Sequence, residues 1–418
     1  MPNCRTAMYV GLLLSCLAAL DPALALTGKV VNAETQAPIS GATVSLGEQS
    51  TTTGRDGDFD IPGSGGLVRI RTPGFSRLDT EIPSAAVEDG KSIALTPFQP
   101  RALYLSMRGI ASSKLREGAL ELIRNKSANA LVIDVKSDRG EVPFKVAVPL
   151  AEQIGAQKLI TVRDMKALLA DLKAQGIYTI GRIVVFKDDF LATAHPELAV
   201  RLQGGGFFRD RERLRWVDPF RRAVWDYNIA IAKEAAEAGF DEIQFDYVRF
   251  PDSKHGIFAQ PVDSNTRTEA ITGFLLAARQ ALQPWNVFTA ANIFGYVCWN
   301  ENDTDIGQKI DHIVSAVDVV SPMLYPSGFR YGIAGFRNPV QHPYEIIYHS
   351  LRRCQERTGA AAIRFRPWLQ AFRDYAFGGR MFNGDGVNAQ VKAASAFGTD
   401  AYMLWNPRNV YPKDGYAP

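Results

Sequence analysis

From Arg101 to Trp405, runs of β-forming residues alternate with stretches of helical periodicity, which restricts this part of the chain to a parallel α/β architecture. The strands predicted are Leu103–Met107, Ala130–Lys136, Tyr178–Phe186, Glu242–Val248, Val287–Ile293, Val317–Met323, Phe365–Ala371 and Ala401–Trp405. Between them, Ser113–Arg124, Val162–Ala174, Phe220–Ala238 and Thr266–Leu282 place Ala, Leu and Glu or Lys at helical spacing. Eight strands with intervening helices over roughly 310 residues predict an α/β fold of the (β/α)8 TIM-barrel type. An open doubly wound sheet is the alternative, and it usually carries a Gly-rich phosphate loop after its first strand. Gly204-Gly205-Gly206 lies instead in a long loop, outside any strand-to-helix turn, and earns no nucleotide role.

The stretch Gly239–Pro251 shows where chemistry would sit. Side chains alternate across a strand, so Glu242, Gln244 and Asp246 share one face, and Pro251 stops the ladder. A polar inner face ending in a carboxylate is expected at the catalytic mouth of a barrel. The same parity turns Asp134 and Lys136 inward from the second strand, Arg182 from the third, Gln244 and Asp246 from the fourth and Asn292 from the fifth. Tyr325 follows the sixth strand, Gln370 belongs to the seventh and Trp405 to the eighth. An internal salt-bridge network is the structural alternative, because buried charge must be paired. Long segments follow the second, third and fifth strands, and long loops above a barrel are usually functional. Trp216, Trp299, Tyr296, Tyr325 and Trp405 have flat faces suited to the C–H face of a sugar ring, with amides and charges for its hydroxyls.

Residues 26–97 follow another pattern. Short β-type runs are separated by Gly, Pro, Asp and Ser with no helical stretch, which predicts a small antiparallel sandwich ahead of a barrel domain at 101–418. Residues 1–25 read as a secretory signal peptide. Arg5 precedes the uncharged, mostly apolar Met8–Leu20, and Ala23-Leu24-Ala25 offers a cleavage site. That apolar run is short for a membrane span, so secretion or a periplasmic location is expected, without stable membrane insertion after cleavage. A net charge of +3 and the absence of a long basic run give no reason to expect nucleic acid. Of four cysteines, Cys298 and Cys354 remain after cleavage, and both are expected to be free thiols. No CxxC pair or HExxH helix suggests zinc, and no metal or cofactor is expected.

Two resemblances extend these readings. Pro38–Val44 and Thr53–Phe59 resemble the carboxypeptidase regulatory-like domain. Asp134–Glu141, Gly181–Asp188, Trp216–Pro219, Phe240–Pro251, Asp303–Gln308 and Ser321–Ser327 resemble the glycoside hydrolase barrel family DUF4015, over nearly all of Arg101–Pro407. This second resemblance implies an exported enzyme that cleaves glycosidic bonds of an oligo- or polysaccharide with two carboxyl groups. Asp246 is then expected as nucleophile or transition-state stabiliser. Asp303 is favoured as general acid, with Asp305, Glu301 and Asp134 as the other candidates. Substrate contacts are expected from Asp134, Lys136, Arg182, Trp216, Asp218, Gln244, Arg249, Asn292, Trp299, Tyr325, Gln370 and Trp405. Asn292 stands where the family tends to carry Asp, which leaves open a non-catalytic carbohydrate-binding barrel of the cell envelope. A hydrolase or lyase acting on acidic polysaccharide is the further alternative, with Arg182, Arg249 and Lys136 holding carboxylates.

Overall fold

The computed structural model describes residues 25–63, 65–82, 92–253 and 255–413. The expected leader lies outside them apart from Ala25, the first residue of β1. Among the described residues, seven strands make the N-terminal unit: β1 (Ala25–Asn32), β2 (Thr43–Leu46), β3 (Gln49–Thr52), β4 (Asp58–Pro62), β5 (Gly66–Arg71), β6 (Leu78–Ile82) and β7 (Ser92–Leu95). They form two sheets, ordered β4-β1-β7 and β3-β2-β5-β6. Alternation sets their inner faces: in β4, Phe59 and Ile61 are buried while Asp58 and Asp60 are exposed. Val30, Val44, Phe59, Ile61, Val68 and Ile70 belong to a hydrophobic core of this unit alone. One expectation fails here, because the sandwich is not wholly antiparallel. β7 runs parallel to β1, since the chain crosses through the second sheet before returning to that edge.

The second unit begins with β8 (Arg101–Leu105), β9 (Ala130–Lys136) and β10 (Tyr178–Val184). It continues through β11 (Arg201–Leu202), β12 (Glu242–Asp246), β13 (Gly256–Ile257), β14 (Phe288–Phe294), β15 (Val319–Met323), β16 (Trp368–Gln370) and β17 (Tyr402–Trp405). β11 and β13 pair only with each other. The other eight close a parallel barrel in the order β10-β12-β14-β15-β16-β17-β8-β9, which is the TIM-type architecture expected. Strands buried on both faces read as continuous apolar runs, and every residue of β9 is buried. Ala102, Tyr104, Val132, Ile180, Trp368 and Met403 pack together in one cluster within the barrel, while Leu131, Ile133, Ile183 and Phe245 join the core shared with the helices. The helix Arg222–Ala238 ends at Gly239, whose φ of 116° suits glycine and whose N–H donates to Ala235 O and Ala236 O. That abrupt stop delivers the chain into β12, which carries Asp246.

The sandwich docks at the N-terminal ends of the barrel strands. Arg77 Nη2 lies 3.1 Å from Asp241 Oδ1, just before β12. Asn286 Nδ2, ahead of β14, donates to Asp79 Oδ1 at 2.7 Å. Asp318, ahead of β15, receives Arg71 Nε of the sandwich at 3.4 Å, Arg279 Nη2 at 3.2 Å and the Thr289 N–H at 2.9 Å. Burial acts to raise the Asp318 carboxyl, but Arg71, Arg279 and the Thr289 donors outweigh it and hold it below the ordinary value. A depressed folded-state pKa stabilises the fold at pH values above the unfolded pKa, and that stability is lost as pH falls through the folded pKa. Arg71→Met is therefore expected to cost about 2–3 kcal/mol near neutral pH, because it strips a buried carboxylate of one cation. Melting curves of both proteins should converge as the pH drops well below 4; a gap of constant size down to pH 2 would exclude this pair as the source.

Candidate active site

Arg182, projecting from β10 and 1% exposed, organises the C-terminal mouth of the barrel. Its Nη1 donates to Asp134 Oδ1 at 2.8 Å, its Nη2 to Asp138 Oδ1 at 2.9 Å and its Nε to Asp246 Oδ2 at 2.8 Å. The guanidinium also faces the rings of Tyr104 and Trp405, 5.6 and 5.1 Å from their centroids. Asp134, at the upper part of β9, accepts further from Tyr104 Oη at 2.8 Å and Met107 N at 3.2 Å. Burial pushes the Asp134 carboxyl above its ordinary value, against the pull of Arg182. Asp246 ends β12, and its Oδ1 accepts the Tyr247 N–H at 2.7 Å. Tyr247 holds φ at 46°, a left-handed conformation uncommon for a large side chain and often found at functional turns. Burial, reinforced by Asp138, pushes its phenol up to about 12.

A cavity of about 220 Å³ opens beside Asp246, walled by Asn292, Tyr296, Met323, Tyr325 and Tyr375, with Arg249 also at its edge. Asn292 Oδ1 accepts the Trp368 indole N–H at 2.8 Å, which turns the amide nitrogen away as a donor. On the other side of Arg182 a more open cleft is lined by Tyr104, Arg108, Asp134, Asp138 and Glu141. The predicted residues that converge are therefore Asp134, Arg182, Asp246, Arg249, Asn292, Tyr325 and Trp405. Trp405 stacks on Tyr104 with centroids 4.0 Å apart. Gln244 sits opposite Arg182 in the strand register, with Nε2 donating to Ser321 Oγ at 3.3 Å.

Other expectations are corrected. Lys136 does not face the mouth. The β9–β10 register shifts between Arg182 and Ile183, and Lys136 Nζ instead meets Asp188 at 2.7 Å and Asn228 of the helix Arg222–Ala238 at 2.9 Å. Trp216 is 2% exposed and packs under Arg249 and Tyr247, with its indole N–H on Asp210. Asp218 closes a loop by accepting the N–H groups of Phe220 and Ala259. Trp299 donates to Ser350 Oγ at 2.9 Å and so faces the outer helix Pro343–Thr358. Gln370 accepts the Ser327 N–H at 3.0 Å and secures the loop after β15. Asp303 is 0% exposed and is paired with Arg267 Nε at 2.6 Å. Burial acts to raise its carboxyl, but Arg267 and the Gly307 N–H outweigh it, so it is held below the ordinary value, unsuited to carrying a proton. Asp305 pairs with the same arginine at 3.2 Å, Glu301 approaches Arg353 at 3.9 Å, and none of the three loop acids lines the cavity beside Asp246.

Three contributors were not singled out as site residues from sequence: Tyr104, Asp138 and Tyr247. Strand parity would have turned Tyr104 inward. The left-handed backbone of Tyr247 leaves no sequence signal, and Asp138 joins only because its loop folds over Arg182.

A barrel whose C-terminal mouth gathers carboxylates, a guanidinium and aromatic walls is that of a (β/α)8 hydrolase. Residues 102–411 match the family described as "Putative glycosyl hydrolase domain" (DUF4015), and the chain belongs to that family. A hypothetical protein from Ruminiclostridium thermocellum is 38% identical, with 45% of this chain and 96% of that one covered, at a TM-score of 0.40. The PgaB (BpsB) glycoside hydrolase domain from Bordetella bronchiseptica is 14% identical over 76% of this chain and all of its own (100%), at a TM-score of 0.51, a likeness of fold. A class V chitinase from Pseudomonas fluorescens is 14% identical over 76% and 97% of the two chains, at 0.45. A search of the curated proteins found no match.

Cys298 and Cys354 form a disulfide, with Cα atoms 4.9 Å apart, where two free thiols were expected. The loop after β14 folds outward along the helix Pro343–Thr358, which Arg357 confirms by donating to Val297 O and Asn300 O, and the two sulfurs meet there. The bridge pins the segment that carries Tyr296 into the cavity wall. It closes a separation of 56 residues, so replacing both cysteines with serine is expected to cost about 4 kcal/mol on the chain-entropy account, read as a lowered denaturation midpoint. An unchanged midpoint, or Cys298 and Cys354 both alkylated in unreduced denatured protein, would refute the bridge.

Proposed function

We propose that the protein is an exported glycoside hydrolase in which Asp246 and Asp134 are the two carboxyls that act on the glycosidic bond. The observation that carries this reading is the single guanidinium of Arg182, bonded at once to carboxylates from two barrel strands beside an aromatic-walled cavity. Asp246, held by Arg182 and the Tyr247 N–H, either attacks the anomeric carbon or stabilises positive charge there. Asp134, raised by burial and lining the cleft on the other side of Arg182, is the member that would give a proton to a leaving oxygen reaching across from the cavity of Asp246. Asn292 offers its amide N–H to a sugar hydroxyl, and the tyrosine walls accept the ring faces. Export is supported by the predicted leader and by the disulfide, a bond that persists in oxidising compartments. No helix among the described residues is long and apolar enough to cross a membrane. The sandwich, with its resemblance to carboxypeptidase regulatory-like domains, fits an accessory role away from the mouth.

A second reading, a carbohydrate-binding barrel without turnover, is favoured by Asn292 in place of an acid. Counting reducing ends released from a glycan panel at fixed enzyme concentration separates the two. Asp246→Asn is expected to lower turnover by at least about a hundredfold in a variant that still folds, with some loss of melting temperature because the buried Arg182 gives up one carboxylate. Full activity in the folded variant would remove Asp246 from the chemistry.

Asp134 must hold its proton to act, so kcat/KM should fall as the pH rises through its elevated pKa. Asp134→Asn is expected to abolish that alkaline limb. It should cripple substrates with poor leaving groups and largely spare dinitrophenyl glycosides, which leave without protonation. Equal losses on both substrate classes would make Asp134 a structural partner of Arg182 instead.

A further inference from the structure

Of the three cations that the sequence placed at the mouth, two are fully engaged by protein acids. Arg182 holds three carboxylates, and Lys136 is sequestered with Asp188. Arg249 is different. Its Nη1 donates to the carbonyl of Phe250 at 2.9 Å, and among the described residues no carboxylate reaches it as an ion-pair partner. Asp246, Asp252 and Asp210 act on it only from farther off. The guanidinium lies over the rings of Trp216 and Tyr247, 4.8 and 5.5 Å from their centroids. Ring faces hold the flat side of the cation, worth roughly 0.5–2 kcal/mol, but they leave the N–H edge without acceptors. That edge belongs to a side chain lining the same cavity as Asp246.

Arg249 and Asp246 are the two charged side chains lining the cavity, and the carboxylate among them is already paired with Arg182, which leaves Arg249 as the charged group there without an ion-pair partner among the described residues. An arginine stays charged even where desolvated, and a desolvated cation calls for an anion. A planar fork with a free edge suits a carboxylate.

We infer that the sugar bound against Asp246 carries a carboxylate, as a uronic acid does, and that Arg249 is the residue that binds it. The inference rests on the glycosidase reading for the identity of this cavity as a sugar site. It places the substrate among acidic polysaccharides and makes Arg249 a specificity-determining residue.

The experiment compares acidic polymers with their own neutral forms. Polygalacturonate, alginate and hyaluronan are each paired with the carboxyl-reduced polymer. Both members are assayed for reducing ends released and for retardation of the full-length protein in affinity electrophoresis. For at least one pair the acidic member is expected to be favoured by roughly tenfold or more at low salt, the scale of one charge-assisted contact. Added NaCl should erode that advantage. Arg249→Gln should bring the acidic member down to the level of the neutral one. Because Arg249 is wedged between two rings, the wild-type comparison and its salt dependence decide the matter even if the variant misfolds. Equal handling of both members of every pair, or retardation by none, overturns the inference, and cleavage of neutral members at equal rate does so while leaving the glycosidase reading intact. Retardation by acidic members with no reducing ends released sustains the anion site and sinks the glycosidase reading instead.

Discussion

Three carboxylates on one guanidinium set the terms for the upper half of this barrel. Arg182 has donors on all three of its nitrogens committed to acids, at 2.8 to 2.9 Å. Without the arginine, Asp134 and Asp246 would be desolvated acids sharing one small space, and at least one would have to take up a proton. The surrounding structure follows from keeping the cation there. Tyr104 and Trp405 close over its faces, and Tyr104 and Met107 supply further donors to Asp134. The left-handed turn at Tyr247 sends a backbone N–H back onto Asp246. The same array places Asp134, raised by burial, at one cleft and Asp246 at another, with the guanidinium between them.

The two ends of the barrel spend charge differently. At the N-terminal end, Asp318, Asp241 and Asn286 hold the sandwich through arginines and an amide, a use of charge for assembly. Deeper in, Arg366 pairs with Glu242, to which Tyr178 also donates, at the start of β12. At the C-terminal end the acids outnumber Arg182, and Arg249 is left with a ring-bound face and an unused edge. Stability sits on one rim and reactivity on the other, the division expected where loops at strand C-termini can vary without disturbing the strands. The disulfide belongs to the reactive rim, because it secures a loop that no strand supports.

Local pattern was enough for the architecture. All eight barrel strands lie where alternation with helices put them. The largest trimming is at the seventh, where Phe365–Ala371 contracts to Trp368–Gln370. Parity also placed Asp134, Arg182, Gln244, Asp246 and Trp405 together, because a side chain two residues along a strand returns to the same face. Parity failed at Lys136, where one register shift at the strand end is enough to carry a side chain out of the mouth and into the helix layer.

What remained was decided by how loops pack, and periodicity carries no information about that. Asp303 looked available for catalysis, yet Arg267, 36 residues away in sequence, claims it. Trp299 and Trp216 carry the right surface for a sugar but face inward or outward according to the course of their loops. Cys298 and Cys354 meet because the loop after β14 lies along a helix that follows β15. By itself the chain determined a barrel, its strand order and the carboxylate at the end of β12, since these depend on spacing along a strand or helix. Only the tertiary structure decided which acids share a guanidinium, which arginine keeps a free edge and which cysteines pair, because those depend on contacts between segments far apart in the chain.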